Sequence, residues 1–454
     1  MQTTRRNFIK MVALPMVVAP FILPSRVWAA PPSGRVTMGL VGMGRQSRGL
    51  LLQFMSRAQV LAVCDVDTTR RTHAQQTVDK FNADTPDKVV AGCKAYNDYR
   101  ELMERKDIDT VCIATPDHWH AAPTLLALKK GKDVYCEKPL THNIREAIEV
   151  IKAVDEHNRV LQTGSMQRSM KEFRVACELV RNGCIGKINR VECTMGAPAK
   201  PCTCKEEAME PGLNWNLWLG PAPLRPYSSV LSPRGVHETW PGWRGFREYG
   251  TGYLGDIGAH QLDIAQWGLG MDDSGPVEVR FTGQEATLVY ASGATVIHKG
   301  NARVDFGVHF YGSDGEVEVN RGRFQVIIKG QTMAEFLWEK TKGTSCEAEV
   351  QKAERTLLKD ARINLYESKS HPDDFLACVE SRAKPVANEQ VGGRTAICVH
   401  LMNQLYFHNA AMKWDPAKLC FADGTGNPAW LTRDYRDWTK AQQAGTVETR
   451  NDHP

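Results

Sequence analysis

The sequence predicts an α/β protein: an N-terminal doubly wound parallel sheet, then an α+β domain built on a large, mainly antiparallel open sheet. Three observations carry this. From residue 35 to about 165, short apolar runs alternate with segments of helical period. Beyond 165, long strand-like runs follow one another across short turns. The chain has 454 residues, 42% hydrophobic and 24% charged, a soluble composition too long for one ordinary core.

Residues 1–30 stand apart from that fold. Thr4-Arg5-Arg6-Asn7-Phe8-Ile9-Lys10 is a twin-arginine pattern, followed by the apolar run Met11 to Leu23 and the small-residue site Val27-Trp28-Ala29-Ala30. The apolar run is too short for a membrane span, and Pro15, Pro20 and Pro24 interrupt it. The expectation is cleavage after Ala29 or Ala30, a periplasmic or exported destination and no stable membrane insertion. Arg5, Arg6, Lys10 and Arg26 supply four of the five net positive charges, so the remainder carries only +1. That balance leaves no electrostatic footprint for nucleic acid.

In the first domain, residues 35–165, strands are expected at 35–41, 60–64, 110–114, 134–136 and 160–163. Helices are expected near 46–56, 68–82, 97–106, 119–130 and 143–157. Asn143 with Glu146 forms a capping pair, and Ile144, Ala147, Ile148, Ile151 and Val154 share one helical face. In the second domain, residues 166–440, a helix near 169–182 precedes strands at 185–195, 276–299, 303–311, 315–320 and 323–329, and helices near 371–382 and 391–408 close the chain. The Pro-, Gly- and Trp-rich stretch 197–255 is a long connection of the kind that carries function. The thirteen cysteines are odd in number and many sit in apolar runs, where they act as small hydrophobes. Cys202-Thr203-Cys204 without a second pair is a poor zinc site, and no metal is expected.

Three turns carry chemistry. The first strand ends in Val41-Gly42-Met43-Gly44-Arg45-Gln46-Ser47-Arg48-Gly49. Glycines opening a helix directly after a strand form a dinucleotide fingerprint: Gly42 allows the tight turn, Gly44 lets a pyrophosphate approach, and the amides near Arg45 and Gln46 face it. Asp65 ends the next strand, at the position of a carboxylate that holds a ribose diol and repels a 2′-phosphate, so NAD is favoured over NADP. Thr115-Pro116-Asp117-His118-Trp119-His120 and Cys136-Glu137-Lys138-Pro139-Leu140 end two further strands and should line the same crevice. In the second domain, Asp256 and His260 lie one helical turn apart, where a carboxylate can orient an imidazole for proton removal.

These motifs, in this order, resemble the Gfo/Idh/MocA oxidoreductase family, and Thr163-Gly164-Ser165-Met166-Gln167-Arg168-Ser169, Asn214-Trp215, Trp218-Leu219-Gly220-Pro221 and Lys413-Trp414-Asp415-Pro416 are similar to its exported bacterial branch. The resemblance implies a Rossmann domain, a tightly held nicotinamide, a sugar, polyol or pyranoside substrate, and a homodimer or homotetramer. It implies Lys138, Asp256 and His260 as catalytic groups. It places Gly42, Met43, Gly44, Arg45, Gln46, Asp65, Thr115, Pro116, His120, Glu137 and Lys138 at the cofactor. Asp117 stands where many members have asparagine, and Ser47 where the third glycine is usual.

The expected mechanism has His260, oriented by Asp256, remove a hydroxyl proton while Lys138 bonds the same oxygen. The lysine and histidine roles are exchangeable. Gln167, Arg168, Trp243, Arg244, Tyr253 and His260 are the candidate substrate contacts. An NAD-dependent glycoside hydrolase working by transient oxidation is the alternative, and a non-catalytic nucleotide-binding protein the second.

Overall fold

The computed structural model describes residues 34–85, 92–300, 307–338 and 341–438. The twin-arginine segment therefore lies outside the described residues. Six parallel strands form the first sheet: β1 (Thr37–Val41), β2 (Gln59–Cys64), β3 (Lys94–Tyr96), β4 (Thr110–Ile113), β5 (Asp133–Cys136) and β6 (Leu161–Thr163), in the order β3-β2-β1-β4-β5-β6. Chain order reverses between β1 and β4, so a crevice opens beyond their carboxyl ends. The turn after β1 is pressed against the turn after β4. A Cβ on Gly42 would lie 2.8 Å from the Ala114 carbonyl oxygen, and its φ of +85° is left-handed.

Helix Ile144–His157 starts as the sequence predicts, with the Asn143 side chain accepting from the Glu146 amide at 2.9 Å. The Glu146 carboxylate, however, takes the His142 amide at 2.9 Å rather than returning to Asn143. The expected helix at 97–106 shrinks to Tyr99–Met103, and β3, a three-residue strand at the sheet edge, was not expected.

The second sheet has ten strands: β7 (Ile188–Met195), β8 (Glu278–Thr282), β9 (Glu285–Val289), β10 (Thr295–Gly300), β11 (Val308–Gly312), β12 (Gly315–Asn320), β13 (Arg323–Ile328), β14 (Gln331–Leu337), β15 (Met412–Asp415) and β16 (Cys420–Ala422). Its order is β14-β13-β12-β11-β7-β10-β9-β8-β15-β16. Among the described pairs, all are antiparallel except β7 with β10. The single run expected at 276–299 is three strands, broken by a two-residue hairpin turn at Gly283-Gln284 and by the turn around Gly293. β14, helix Cys346–Leu357, β15 and β16 were not expected.

Helices Lys171–Arg181, Gly252–Leu269 and Glu389–His408 cover one face of this sheet and share its core with Phe310, Val317, Phe324 and Val326. Helix Glu389–His408 also meets the first domain. A Cβ on Gly393 would lie 2.6 Å from Ile151 Cδ1, and Ala387 O accepts from the Thr163 amide at 2.8 Å. Residues 435–438 return as a strap: the Arg436 guanidinium bonds Gly220 O and Asn216 O, Tyr435 Oη bonds Glu146 at 2.7 Å, and Trp438 packs on Trp119.

All thirteen cysteines are free thiols. No described helix is long and apolar enough to cross a membrane.

Arg168 corrects a sequence expectation. It does not reach a substrate crevice. It is 2% exposed, bonds Asp263 through Nε at 2.9 Å and Asp272 through a terminal nitrogen at 2.7 Å, and lies over the Trp267 ring. The two carboxylates keep its guanidinium firmly charged despite burial. The network fastens the turn after β6 to helix Gly252–Leu269, which carries Asp256. Arg168→Ala leaves Asp263 buried without its cation, so it should lose about 3–5 kcal/mol of unfolding free energy in denaturant titration. A change within error would contradict this structural role.

Candidate active site

A cavity of about 820 Å³ runs between the domains, with walls from both. Its first half is built by the β1 and β2 ends. No side chain caps helix Arg45–Met55 at Gly44, so the first amides of that helix keep their donors. Nothing lies within 4 Å of a Cβ placed on Gly44, which leaves the room a phosphate needs. Asp65 accepts from the Met43 amide at 2.6 Å through Oδ2 and from the Asp67 amide at 2.8 Å through Oδ1. Each oxygen keeps a further lone pair for a ribose diol. Burial raises the Asp65 carboxyl, while Arg70 and the two amides oppose that shift. Open glycine, free helix amides and a carboxylate at the next strand end fit a dinucleotide.

Neither neighbouring arginine is left free for a 2′-phosphate. Arg71 bonds Asp65 O at 3.1 Å and Thr68 Oγ1 at 2.8 Å, and Arg70 bonds Gly235 O and Pro233 O. The Arg70 contacts also show what the long 197–255 connection does. Residues 232–241 fold across the nucleotide half, pinned by Arg70, by Arg48 to Glu238 at 2.7 Å, and by Arg45 under Trp240 at 4.3 Å. Sequence reasoning named the stretch as functional but missed Pro233, His237 and Trp240 as cavity wall.

The second half is where β5 meets helix Gly252–Leu269. Lys138 follows shortly after β5 and is joined to Pro139 by a cis bond, and its Nζ donates to Asp256 Oδ1 at 2.6 Å and to Asp256 O at 2.7 Å. Arg244 Nε lies 3.5 Å from Asp256 Oδ2. Burial works against the Asp256 charge, yet Lys138 and Arg244 outweigh it and hold the carboxyl below its usual range.

This corrects the expected pairing. Asp256 faces Lys138 and Arg244, and no hydrogen bond joins it to His260. Among the described residues, His260 Nδ1 is buried without a partner. Burial, then the charges of Lys138 and Arg321, push its imidazole well below the ordinary value, so it is neutral. The helix also begins at Gly252, a turn earlier than expected.

Of the other expected residues, Gly42, Gly44, Arg45, Gln46, Thr115, Pro116, His120, Glu137, Gln167, Trp243, Arg244 and Tyr253 all border the cavity. Met43 does not: its side chain is fully buried in the first-domain core, and only its amide reaches Asp65. His120 sits between Pro139 O at 2.7 Å and Thr115 O at 3.0 Å, and so braces two cavity turns. Glu137 Oε1 accepts from Gln46 at 2.9 Å. Gln167 is 1% exposed, with neither amide atom partnered among the described residues.

Asp117, in a turn expected at the crevice but given no role of its own, also lines the cavity, as do Asn320, Arg321 and Trp338, which were not assigned to a site from sequence. The last three come from the β12–β13 turn and the end of β14, where no motif marks them.

Asp117 is 3% exposed and accepts from Thr251 Oγ1 at 3.1 Å. Burial, then the charge of Asp256, push its carboxyl up to about 7. The unfolded chain titrates near ~3.9. Between those values the folded state binds the proton more tightly, so stability from this group falls as pH rises through the window and stays low above it. Asp117→Asn should therefore melt above the parent protein beyond about pH 7, with the gap closing towards about pH 4. A gap independent of pH would contradict the titration.

A second pair of variants separates the glycines. Gly44→Val should leave the melting temperature within a few degrees while abolishing NAD binding in calorimetry. Gly42→Ala should lower stability itself, through both the clash at Ala114 and the left-handed backbone.

Comparison with known proteins agrees with this geometry. Residues 36–165 match the model of an oxidoreductase family with an NAD-binding Rossmann fold, and residues 201–440 match that family's C-terminal alpha/beta domain. Glycosyl hydrolase family 109 protein 2 of Shewanella sp. (strain ANA-3) is 28% identical over 160 residues, 35% of this chain and 34% of that one. Inositol 2-dehydrogenase of Salmonella typhimurium is 32% identical over 156 residues, 34% of this chain and 43% of that one. The chain thus spans less than half the length of either curated relative. The aldose-aldose oxidoreductase of Caulobacter crescentus shares the fold at a TM-score of 0.54 and 16% identity, over 84% of this chain and 99% of that one. With both family domains in place around one cavity, the chain belongs to the Gfo/Idh/MocA oxidoreductase family, its first domain an NAD-binding Rossmann domain.

Proposed function

We propose that the protein transfers hydride between a hydroxyl or keto carbon of a sugar, polyol or pyranoside and a tightly held NAD. The observation that carries this reading is the Lys138–Asp256 pair at 2.6 Å, set across the domain boundary at the end of the nucleotide half of the cavity. Nicotinamide, when bound, supplies the acceptor or donor of hydride.

Oxidation also requires a proton to leave the hydroxyl, and Lys138 is placed for it. An ammonium has three donors; two are held by Asp256 Oδ1 and Asp256 O, which leaves the third for the substrate oxygen. In reduction the ammonium gives that proton and becomes the amine, and in oxidation the amine form takes the hydroxyl proton and becomes the ammonium. Asp256 compensates the lysine charge. His260, neutral and unpartnered at Nδ1, bonds a neighbouring hydroxyl, and Gln167 offers an amide donor and acceptor to another. This exchanges the lysine and histidine roles first expected.

The twin-arginine pattern supports export after folding, and residues 232–241 across the groove support a cofactor that travels with the protein. We assign self-association to the outer face of the ten-stranded sheet, where Ile297, His309, Tyr311 and Ile327 are half-buried. The Shewanella relative keeps one alternative open to test, a glycosidase that oxidises its substrate transiently and regenerates NAD each turnover.

Lys138→Met should reduce nicotinamide reduction by a responsive sugar ~10²–10⁴-fold. Unchanged turnover would contradict the site. Steady phenol release from p-nitrophenyl glycosides, without added NAD, would replace the dehydrogenase reading by the glycosidase.

A further inference from the structure

Three cations border the substrate half of the cavity, and they are not equally engaged. Lys138 and Arg244 share the Asp256 carboxylate. Arg321 stands apart. It sits in the tight turn between β12 and β13, where its amide is held by Asn320 Oδ1 at 2.8 Å and its carbonyl accepts from Trp338 Nε1 at 3.2 Å. Its backbone is thus fixed from both sides. Its guanidinium has no carboxylate or carbonyl partner among the described residues. It lines the cavity and remains accessible from it.

Two further features point the same way. Gln167 lines the same cavity, buried with both amide atoms unpartnered among the described residues, which normally costs stability and so marks a group awaiting a ligand. Trp338, 37% exposed, is held at φ +54°, a left-handed conformation that large side chains rarely adopt. An aromatic face, a free guanidinium and an unpartnered amide match a ring that carries hydroxyls and one planar anion.

We propose that the substrate is an acidic sugar, a pyranose or pyranoside bearing a carboxylate, and that Arg321 binds that carboxylate while the ring lies between Trp338 and the Lys138–His260 wall. A guanidinium fork matches a carboxylate in two parallel hydrogen bonds. Arg321 makes no ion pair among the described residues, with Glu137 the acid whose charge reaches it, and its one guanidinium fork matches one planar carboxylate. The inference names a substrate class for the hydride-transfer site and so rests on that reading, but Arg321 is outside the proton-transfer machinery.

The experiment uses the full chain as purified, with tryptophan fluorescence reporting binding. Methyl glucoside, galactoside and mannoside are titrated beside their 6-carboxylates, the methyl hexuronides, and beside the hexose 6-phosphates. At least one uronide should bind ~10–100-fold more tightly than its neutral counterpart, Arg321→Ala should erase that difference while leaving neutral sugars unchanged, and Arg321→Lys should restore part of it. Binding of no uronide, equal binding of neutral and acidic members, preference for a 6-phosphate, or uronide binding indifferent to Arg321→Ala would each overturn the proposal. The near-ultraviolet absorbance of reduced nicotinamide, followed in the same titrations, separates the two readings. Arg321-dependent uronide binding with no absorbance change counts against hydride transfer and leaves the anion site standing. An absorbance change that is equal for neutral and acidic members does the reverse.

Discussion

The ion pair between Lys138 and Asp256 is the constraint on which the rest depends. It joins the end of a first-domain strand to a second-domain helix, and both side chains are largely shielded, at 15% and 19% exposure. Two charges removed from water repay their desolvation only if geometry is good and spare hydrogen-bonding sites are filled. Here the lysine makes two bonds to one residue, and Arg244 takes the second carboxylate oxygen. Without a fixed domain arrangement those distances could not hold. The buried Arg168 network, the close contact at Gly393 and the strap at 435–438 supply that arrangement.

The cavity then divides by charge and by cover. On the nucleotide side, arginines are spent on protein carbonyls and on a folded-over loop, and a single buried carboxylate remains for the ribose. On the substrate side, Asp117 lies close to Asp256 and Glu137 beside Lys138, and burial pushes both carboxyls up. Arg321, in contrast to Lys138 and Arg244, makes no ion pair among the described residues, and Glu137 is the acid whose charge reaches it. Neutral His260 sits among these groups as a hydrogen-bonding partner, because burial disfavours its charge and protonation would add a cation beside Lys138 and Arg321.

Much of this was legible in the residues. Gly42, Asp65 and Lys138 follow directly on strand ends, so the alternation of strand and helix locates them without knowledge of contacts. The second domain read less well. The β8–β9 hairpin was hidden because turn residues Gly283-Gln284 interrupt one continuous strand-like run, and β15 and β16 are too short to show a period. Spacing on one helix brought Asp256 and His260 together on paper, but the carboxylate's partner is set by Lys138 and Arg244, which arrive from other parts of the chain. Arg168 misled for a related reason: a polar residue beside a motif does not reveal that Asp263 and Asp272, about a hundred positions on, bury it. Arg321 had no local signal at all, since only the pairing of β12 with β13 presents its turn to the cavity.

The measurement that tests the central claim most directly is mass spectrometry of small molecules released when the purified, full-length protein is denatured. The groove built by Gly44, Asp65 and the 232–241 segment predicts a nicotinamide dinucleotide without a 2′-phosphate, close to one per chain. Release of no dinucleotide, together with no calorimetric binding of added NAD, would contradict the account.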